Sequence, residues 1–387
     1  MIRCLLPILL FLASFSPPLV SHAQQSAPGP LTGEDRERAL AARFAPVLHQ
    51  RLTPEVATHR FDYITRFDFD GDWIGNNNWA HAEDARYPLQ AYLYYAVVET
   101  ETHYFITYAA FHPRDWSLEQ DLYGLVLDRV KEKVGVYFPN QAREQAEFNH
   151  ENDLEGLMVV VRKGEEPGEA RLEAVETLAH NHFYKYLVSG SSLAAAGKTA
   201  ETIAVDGEHS IVYVESQKHG IKRYEEQDRQ GGPVIIYRDG GRAEEPKAFE
   251  GTTVYAPAQQ EASYDLLPIY DTFWLRALAA QEPNYTFGEL YDFGALTTEA
   301  TSLAGNRTRR VEFALGRIGV ALRGDVAGKN KARMPWGWSD TADQNLAMGD
   351  WFLDPAKTLA AHFPAARDIS HRYVSNPFAG IYREEAH

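Results

Sequence analysis

The chain has 387 residues, of which 44% are hydrophobic and 24% are charged, a balance that is typical of a folded globular protein and excludes a disordered chain. Its 38 lysines and arginines stand against 54 aspartates and glutamates, and the net charge of −16 argues against nucleic acid and against anionic lipid bound by charge alone. Glycans, neutral lipid headgroups and cations are compatible with this charge.

The first 23 residues have the pattern of a secretory signal peptide. Arg3 gives them a positive start, an apolar run follows at residues 5–12, and small residues precede a cleavage site after Ala23. The apolar run is too short and too rich in prolines for a membrane-spanning helix, and no later stretch is long enough for one. We therefore expect a secreted or periplasmic protein without a transmembrane segment, whose mature chain comprises residues 24–387.

The only cysteine, Cys4, lies within this predicted leader, so the mature chain has no disulfide to stabilise it. Packing, together with any bound metal, has to supply that stability. Of the 38 basic residues the leader holds only Arg3, so the mature chain keeps 37 against 54 acidic residues and has a net charge of −17.

Two features open the mature chain. Thr32 and Asp35 have the spacing of a capping box, which predicts a helix over the residues that follow. Farther on, residues 66–79 contain three alternating aspartates, Asp68, Asp70 and Asp72. Tryptophans stand where an EF-hand needs its glycine and its final glutamate, so we interpret this stretch as a turn-rich loop and a weaker candidate for cation binding.

The next segments predict a β-hairpin followed by an insertion. Residues 89–98 and 103–111 are rich in aromatic and β-branched side chains and are joined by a short polar turn. Pro113 ends the second strand and leaves Asp115 at its rim. Residues 117–148 then show apolar side chains at helical spacing, which predicts a helical insertion between two strands of the sheet.

The rest of the chain alternates short apolar runs with turns that contain Gly, Pro, Asp or Ser. Strands are predicted at residues 154–161, 171–186, 210–214, 234–237 and 252–255. A late helix is predicted at residues 356–362 because Asp354 and Pro355 provide a cap and a first-turn proline. This pattern predicts a mainly β chain, an antiparallel β-sandwich with peripheral helices, in a single domain that spans residues 24–387.

The clearest chemical signal is a histidine–acid cluster at the mouth of the apolar strand at residues 154–161. Asp153 and Glu155 are two residues apart, so an extended backbone directs both carboxylates to one face. His150 lies on the approach to the strand and can fold over the same spot. Carboxylates with one imidazole suit a hard or borderline divalent cation. The alternative is that these are solvated loop charges beside one hydrogen-bonded histidine.

Three other histidines form a competing hypothesis. His180 and His182 are two apart in the strand predicted at residues 171–186, and His219 could complete a zinc site with them. Alternatively, His180 and His182 lie on a partly solvated strand face or line the pocket of the first cluster. His219 is a candidate general base or substrate contact, or else an ordinary turn residue.

Two side chains beside Asp115 are candidates for substrate binding. His112 can hold a ligand-binding group in orientation or simply face solvent. Trp116 is the best placed of five tryptophans that could stack on a sugar ring, although such residues more often serve in packing. The five are Trp73, Trp79, Trp116, Trp336 and Trp338.

Four segments resemble, in order, the necrosis- and ethylene-inducing protein-like (NLP) cytolysins. Residues 108–115 resemble the family's Tyr-aromatic-Phe-Pro-Lys-Asp strand end. Residues 150–155, with the sequence His-Glu-Asn-Asp-Leu-Glu, resemble its Gly-His-Arg-His-Asp-Trp-Glu signature without the glycine. Residues 211–220 are similar to its next strand and histidine-bearing turn, and residues 331–336 to its closing Ala-X-X-Pro-aromatic segment.

This resemblance implies a single β-sandwich that binds magnesium or calcium in an acidic pocket. Carried over position by position, the ligands become Asp115, His150, Asp153 and Glu155. A glycan or glycolipid headgroup is the implied partner, and membrane damage the implied consequence of binding.

The chain also departs from the family pattern. Asn152 replaces the second histidine of the signature and Leu154 replaces its tryptophan. About thirty residues separate Asp115 from His150, where the family has only a few, and the family's disulfide cannot form. These departures bear on toxin activity more than on the fold or the cation pocket.

Three functions follow as hypotheses. The first is a secreted, cation-dependent protein that recognises a glycan or glycolipid headgroup and damages membranes. The second is a metal-dependent hydrolase of esters, phosphoesters or glycans that uses the same cation, with His219, His180 or His182 as the base. The third is a protein that holds a structural calcium ion and carries out no chemistry.

Overall fold

A computed structural model of the chain describes residues 33–116, 149–165, 167–194, 201–255, 257–301, 307–326, 332–343, 345–364 and 368–383. The predicted signal peptide, the predicted insertion at residues 117–148 and Thr32 of the predicted capping box lie outside these residues. Among the helices that the structure describes, none is both long and apolar enough to cross a membrane.

Strands make up most of the described structure. They are β1 (Val47–Arg51), β2 (Tyr92–Thr100), β3 (His103–Asp115), β4 (His150–Arg162), β5 (Arg171–Ala179), β6 (His182–Leu187), β7 (Val205–Asp206), β8 (His209–Val214), β9 (Ile221–Arg223), β10 (Val234–Asp239), β11 (Gln259–Pro268), β12 (Phe287–Asp292), β13 (Ala295–Thr301), β14 (Thr308–Ala314), β15 (Arg317–Leu322) and β16 (Arg372–Ser375).

The helices are short and lie around the strands. They are α1 (Gly33–Arg43), α2 (Asn78–His81), α3 (Leu275–Ala279), α4 (Asp350–Leu353) and α5 (Pro355–His362), with 3₁₀ turns that include Val56–Asp62 and Pro377–Ala379 and a π-helical turn at Tyr270–Trp274. The late helix agrees with its predicted position because its first-turn proline is a local signal, although the side chain of Asp354 accepts a hydrogen bond from Tyr373 and does not cap the helix.

One large sheet organises the molecule. Its strands follow the order β6-β5-β4-β3-β2-β11-β10-β1-β8-β7, with β9 beside β8 and with β16, β13 and β14 branching from β2. The pairs β1–β8, β10–β11, β11–β2 and β13–β16 are parallel, and the other pairs are antiparallel. The prediction of an antiparallel sandwich was therefore wrong in architecture, although the mainly β composition is confirmed.

The physical reason for this difference is sequence separation. Antiparallel hairpins such as β2–β3 and β5–β6 join neighbours in the chain, and their alternating side chains and turns can be read locally. In contrast, β1 inserts between β8 and β10, strands that follow it by more than 150 residues. No local pattern specifies such a pairing, since it depends on which faces become buried together.

Two predicted strands also need correction. The strand at residues 171–186 is a hairpin, because His180 and Asn181 adopt left-handed backbone angles (φ 53° and 57°) and form the two-residue turn between β5 and β6. The strand at residues 252–255 is reduced to an isolated bridge between Thr253 and Glu55. The nearest regular strand is β11, which begins at Gln259.

The central strands are buried along almost their whole length. In β2, β3, β4 and β5 nearly every residue is buried on both faces of the sheet, so these strands read as continuous runs and not as alternating ones. The sheet curls until β9, next to one end, packs against β5 and β4 near the other. This curling brings the β8–β9 turn beside the end of β3 and the start of β4.

Candidate functional site

The site is built first by the pairing of β3 with β4. Asp115 lies directly opposite His150, and His112 lies directly opposite Asp153. Side chains at such opposed positions are neighbours, with Cβ atoms about 5 Å apart. The polar ends of both strands therefore meet at one rim of the sheet, next to the β8–β9 turn.

Asn152 changes the direction of the side chains along β4. Residues three apart in a regular strand point to opposite faces, but Asn152 has a left-handed backbone (φ 62°) that interrupts the alternation. Its buried side chain donates to the carbonyl oxygens of Gly75 (2.6 Å) and Arg323 (2.7 Å) and accepts from Asn78 (2.7 Å). Asn152, one of the positions at which the chain departs from the signature it resembles, thus shapes the strand.

As a result, Asp115, His150 and Asp153 each offer a ligand atom within 4.8 Å of the other two. His150 Nε2 lies 3.3 Å from Asp115 Oδ2, and its Nδ1 donates to the carbonyl oxygen of Asn152 (2.8 Å). Burial lowers the pKa of His150, but Asp115 and Asp153 raise it more, and its pKa is raised overall. Lys218 also contacts Asp115, so two cationic groups hold that carboxylate.

Glu155 is the least satisfied acid of the group. Its Oε2 atom is buried and accepts no hydrogen bond from any residue that the structure describes. Burial raises its pKa well above the ordinary value, and the negative charges of Asp153, Asp115 and Glu215 raise it further. A buried carboxyl group without a donor is costly, so this oxygen is a feature that a bound cation would explain.

Beneath this rim lies a fully buried pair of histidines. His219 donates from Nδ1 to Asp153 (2.9 Å) and from Nε2 to Asp62 (3.2 Å), which requires both ring nitrogens to be protonated. Burial lowers its pKa, but the two carboxylates raise it to about 9. His112 stacks on it with ring centroids 3.7 Å apart, and burial with the neighbouring charge lowers the pKa of His112 well below its usual value.

This arrangement corrects the role predicted for His219. An imidazolium held between two carboxylates has no lone pair with which to accept a proton, so it does not serve as the predicted general base. Its left-handed backbone (φ 55°) holds the ring in this position at the end of the β8–β9 turn. His219 acts instead as an internal positive charge that fixes Asp153 and Asp62.

The predicted pairing of His180 with His182 is wrong as well. Because His180 lies in the β5–β6 turn, its Nε2 reaches Glu215 (2.6 Å), whereas His182 Nδ1 reaches Asp340 (3.1 Å). The two imidazoles therefore serve different partners. His180 still lies near the rim, where its side chain is 53% exposed and where Glu215 also binds Lys222 (2.7 Å).

The two predicted substrate contacts lie inside the protein. His112 is completely buried and its Nε2 is 3.1 Å from Gln50 Oε1. Trp116 is also buried, donates from Nε1 to Asp62 (3.1 Å) and packs edge-to-face on Phe61. Neither ring has an open face for a sugar, because His112 is a member of the buried histidine pair and Trp116 packs beside it on Asp62, which also contacts His219.

The other tryptophans also serve in packing. Trp336 and Trp338 belong to the hydrophobic core. The guanidinium of Arg276 lies 3.7 Å from the ring centre of Trp73, and that of Arg114 lies 4.4 Å from the ring centre of Trp79. An arginine thus covers one face of each of these two rings, which is then closed to a sugar.

The aspartate loop, residues 66–79, is locally satisfied. Arg66 donates twice to Asp68 (2.6 and 2.7 Å), and His81 Nδ1 lies 2.5 Å from Asp70. The backbone N–H groups of Asp72 and Ile74 donate to the aspartate two residues earlier in each case. These are the contacts of Asx turns, which form without a metal ion.

Three residues around the rim where β3 and β4 meet were not predicted from the sequence. Asp62 ends the 3₁₀ turn Val56–Asp62, far from any motif, and accepts hydrogen bonds from Trp116, His219 and the backbone N–H of Gln217. Lys218 and Glu215 belong to the segment that resembles the family's histidine-bearing turn, which is the one signal that could have drawn attention to them.

The residues present fit a divalent cation. Two carboxylates and one imidazole converge. The predicted fourth ligand, Glu155, is not among the atoms that lie within 4.8 Å of one another, although Asp153 and Asp115 are close enough to raise the pKa of its buried carboxyl group. His150 donates its other ring nitrogen to a backbone carbonyl, the arrangement that orients a histidine ligand. Oxygen donors with a single imidazole favour a hard or borderline metal ion. We call Asp115, His150, Asp153 and Glu155 the candidate cation site.

Comparisons with known proteins give a weak result. No family model and no curated protein matches the chain. Among solved structures, it is similar to one entitled "Toxin fold for microbial attack and plant defense", with 18% identity over 51% of this chain and 71% of that one and a TM-score of 0.27.

Two further similar structures come from the NLP group. One is NLPPya in complex with glucosamine (18% identity, 49% of this chain and 67% of that one, TM-score 0.27). The other is the non-toxic HaNLP3 protein (13% identity, 67% of this chain and 86% of that one, TM-score 0.29). The TM-scores are low, so the resemblance of this chain to the NLP family rests on its sequence motifs.

Proposed function

We propose that this chain is an exported, NLP-like protein that uses a divalent cation, magnesium or calcium, to recognise a glycan or glycolipid headgroup. The observation that carries the proposal is the convergence of Asp115, His150 and Asp153 from two strands, with a buried oxygen of Glu155 in the same region that accepts no hydrogen bond from the residues the structure describes. The four motifs in family order support the same conclusion.

The need for a cation follows from the charges in the site. Asp115 and Asp153 are each held by cationic partners, Lys218 and His219 among them, whereas within the described part of the chain Glu155 has only acidic neighbours that raise its pKa. A divalent ion bound here would give the Glu155 oxygen a partner and allow that carboxyl group to ionise. Lys218 would then have to move away from Asp115.

Headgroup recognition is supported by the polar rim of the site. Lys218, Glu215 and His180 stand on its solvent side and are partly exposed, while the stacked histidines close its inner side. Charged groups that surround a hard cation suit sugar hydroxyls, which can both bind the metal and exchange hydrogen bonds with the rim. This polar rim takes the place of the aromatic rim expected from Trp116.

No observation favours the hydrolase alternative. Of the three histidines expected as a base, His219 is an imidazolium, His182 lies against Asp340, and His180 is paired with Glu215, which raises its pKa. A hydrolase needs an unprotonated base within reach of a metal-bound water. A panel of chromogenic esters and phosphoesters tests this alternative directly, and turnover that disappears with EDTA would revive it.

The cation is tested by calorimetric titration of the mature protein with CaCl₂ and MgCl₂. We expect Glu155→Gln to weaken binding by about tenfold and the double variant Asp153→Asn, Glu155→Gln to abolish it, since mutation of metal-site acids costs one or more orders of magnitude. Asp68→Asn is the matched control and leaves binding unchanged. Equal affinity in all variants would disprove the site.

Headgroup recognition is tested with phosphatidylcholine vesicles with and without a glycosphingolipid. Binding is expected only with the glycolipid and only with the cation, and EDTA should release the protein. Dye leakage from the same vesicles reports membrane damage separately. Binding to both vesicle types, or binding that survives EDTA, would contradict the proposal.

Export is tested separately. Mass spectrometry of the exported protein shows whether the chain is cleaved after Ala23.

A further inference from the structure

A cavity lies on a different part of the molecule from the candidate cation site. It has a volume of about 450 Å³ and opens between α1, β2, the π-helical turn Tyr270–Trp274 and the 3₁₀ turn Pro377–Ala379. It shares no lining residue with the candidate cation site. We call it the α1 cleft.

One wall of the α1 cleft is aromatic. Tyr95 and Phe378 form its buried part, and Tyr270 and Tyr382 stand at its mouth with their hydroxyl oxygens 3.2 Å apart. Tyr382 is 57% exposed, so its ring is accessible from the solvent. Exposed aromatic faces that line a concavity provide contact area for an apolar or cationic ligand.

The charged residues of the cleft are mostly acidic. The acids are Glu34, Asp35, Glu37 and Asp271, and the bases are Arg38 and Arg383. Both arginines are engaged by carboxylates that are not part of the lining. Arg38 donates to Asp265 (2.5 Å) and to a backbone carbonyl, and Arg383 donates to Glu99. The cleft is therefore an unfavourable place for an anion.

Glu37 is the acid most in need of a partner. Its carboxylate accepts no hydrogen bond from the residues that the structure describes, although the side chain is partly buried. Burial raises its pKa to about 7; Glu99 and Glu34 add to this effect, whereas the charges of Arg36 and Arg383 oppose it. A ligand that brings a positive charge would offset the burial of this carboxylate.

We propose that the α1 cleft binds a small organic ammonium ion, with its charged head against Glu37 and its apolar body against the tyrosines. A protonated amine can donate to the carboxylate and lie over the negative faces of the rings at the same time. A bare metal ion fits less well, because aromatic walls cannot supply the six or more oxygen ligands that calcium requires.

The test uses the mature chain and two matched probes, 2-phenylethylamine and the neutral 2-phenylethanol, followed by calorimetry or saturation-transfer NMR. We expect the amine to bind at least tenfold more tightly than the alcohol. Glu37→Gln should remove that preference, and its thermal unfolding should confirm that the variant is folded. Equal binding of the two probes, or no binding of the amine at about 10 mM, would overturn the proposal.

Two further variants locate the binding. Tyr382→Ala is expected to weaken amine binding several-fold, and Tyr382→Phe should restore it, because the ring and not the hydroxyl group provides the contact. Glu155→Gln, in the candidate cation site, should leave amine binding unchanged. If Glu155→Gln weakened it or Tyr382→Ala did not, the amine would be binding elsewhere and the assignment to this cleft would be wrong.

Discussion

Two acid-rich segments of this chain look alike in sequence and differ in structure. The aspartate loop has three acids at alternating positions, whereas the candidate cation site draws Asp115 and the pair Asp153 and Glu155 from segments about forty residues apart. By spacing alone, the aspartate loop is closer to a metal-binding loop. In the structure, however, its acids have partners within a few residues along the chain, and Glu155 has none that the structure describes.

A high local density of carboxylates is therefore a poor indicator of a cation site. An aspartate in a turn readily accepts the backbone N–H two residues later, and this local bond uses the lone pairs that a metal would need. Acids brought together by strand pairing have no such local donors. They repel one another until a cation, a lysine or a protonated histidine compensates for the repulsion.

The largest expected effect concerns Asn152, whose left-handed backbone shapes the strand that carries the candidate cation site. Asn152→Ala should lower the free energy of unfolding by about 3 kcal/mol, because it removes three buried hydrogen bonds and leaves a left-handed backbone without asparagine. Urea denaturation measures the loss. Asn152→Gly keeps the left-handed backbone angle accessible, so its loss of unfolding free energy should be about 1 kcal/mol smaller than that of Asn152→Ala. Equal losses in the two variants would show that the backbone angle is not strained.

A second, smaller effect is expected from the lysine that contacts Asp115. Lys218→Met removes a positive charge that competes with the cation, so calcium affinity should rise about tenfold, or about 1.4 kcal/mol. Calorimetric titration measures the change. Lys222→Met is the control, since Lys222 binds Glu215 and does not contact Asp115; an equal gain in both variants would indicate a general charge effect.

The sequence predicted those parts of the fold in which the interacting residues are close together along the chain. The β2–β3 hairpin and the helix α5 follow from side-chain pattern, turn and first-turn proline, which act within a few residues. The position of β1 between β8 and β10 does not follow from such local signals, because it is decided by burial among strands that are far apart in the chain. The same limit explains why a mixed sheet was mistaken for an antiparallel sandwich.

The same argument applies to the candidate site. Asp115, His150 and Asp153 could be proposed together because a family motif links positions that spacing alone does not link. Asp62 carries no motif, and its role emerges only when the curled sheet places it beside the β8–β9 turn. The turn at His180 was missed because a His-Asn pair is an uncommon choice where Asn-Gly is typical.

A third prediction uses the raised pKa of Glu155. A carboxyl group whose pKa is higher in the folded than in the unfolded protein binds more protons when folded, so it destabilises the fold increasingly as pH rises above its ordinary pKa. In EDTA, Glu155→Gln should therefore be stabilising by about 1 kcal/mol at pH 8 and nearly neutral at pH 4. Thermal unfolding at the two pH values tests this, and a variant that is destabilised at pH 8 would show that Glu155 has an undetected partner.

The smallest effect is expected in the aspartate loop, and it completes the comparison. Asp68→Asn removes a bidentate contact with Arg66, whose side chain is 39% exposed, so solvent screening should limit the loss of unfolding free energy to less than about 1 kcal/mol. That loss should be the same in EDTA and in calcium and should shrink at high salt. A loss that appeared only in calcium would mean that the aspartate loop also binds the ion. Acids with local partners would then no longer be distinguishable from Glu155, whose buried oxygen has no hydrogen-bond partner among the described residues.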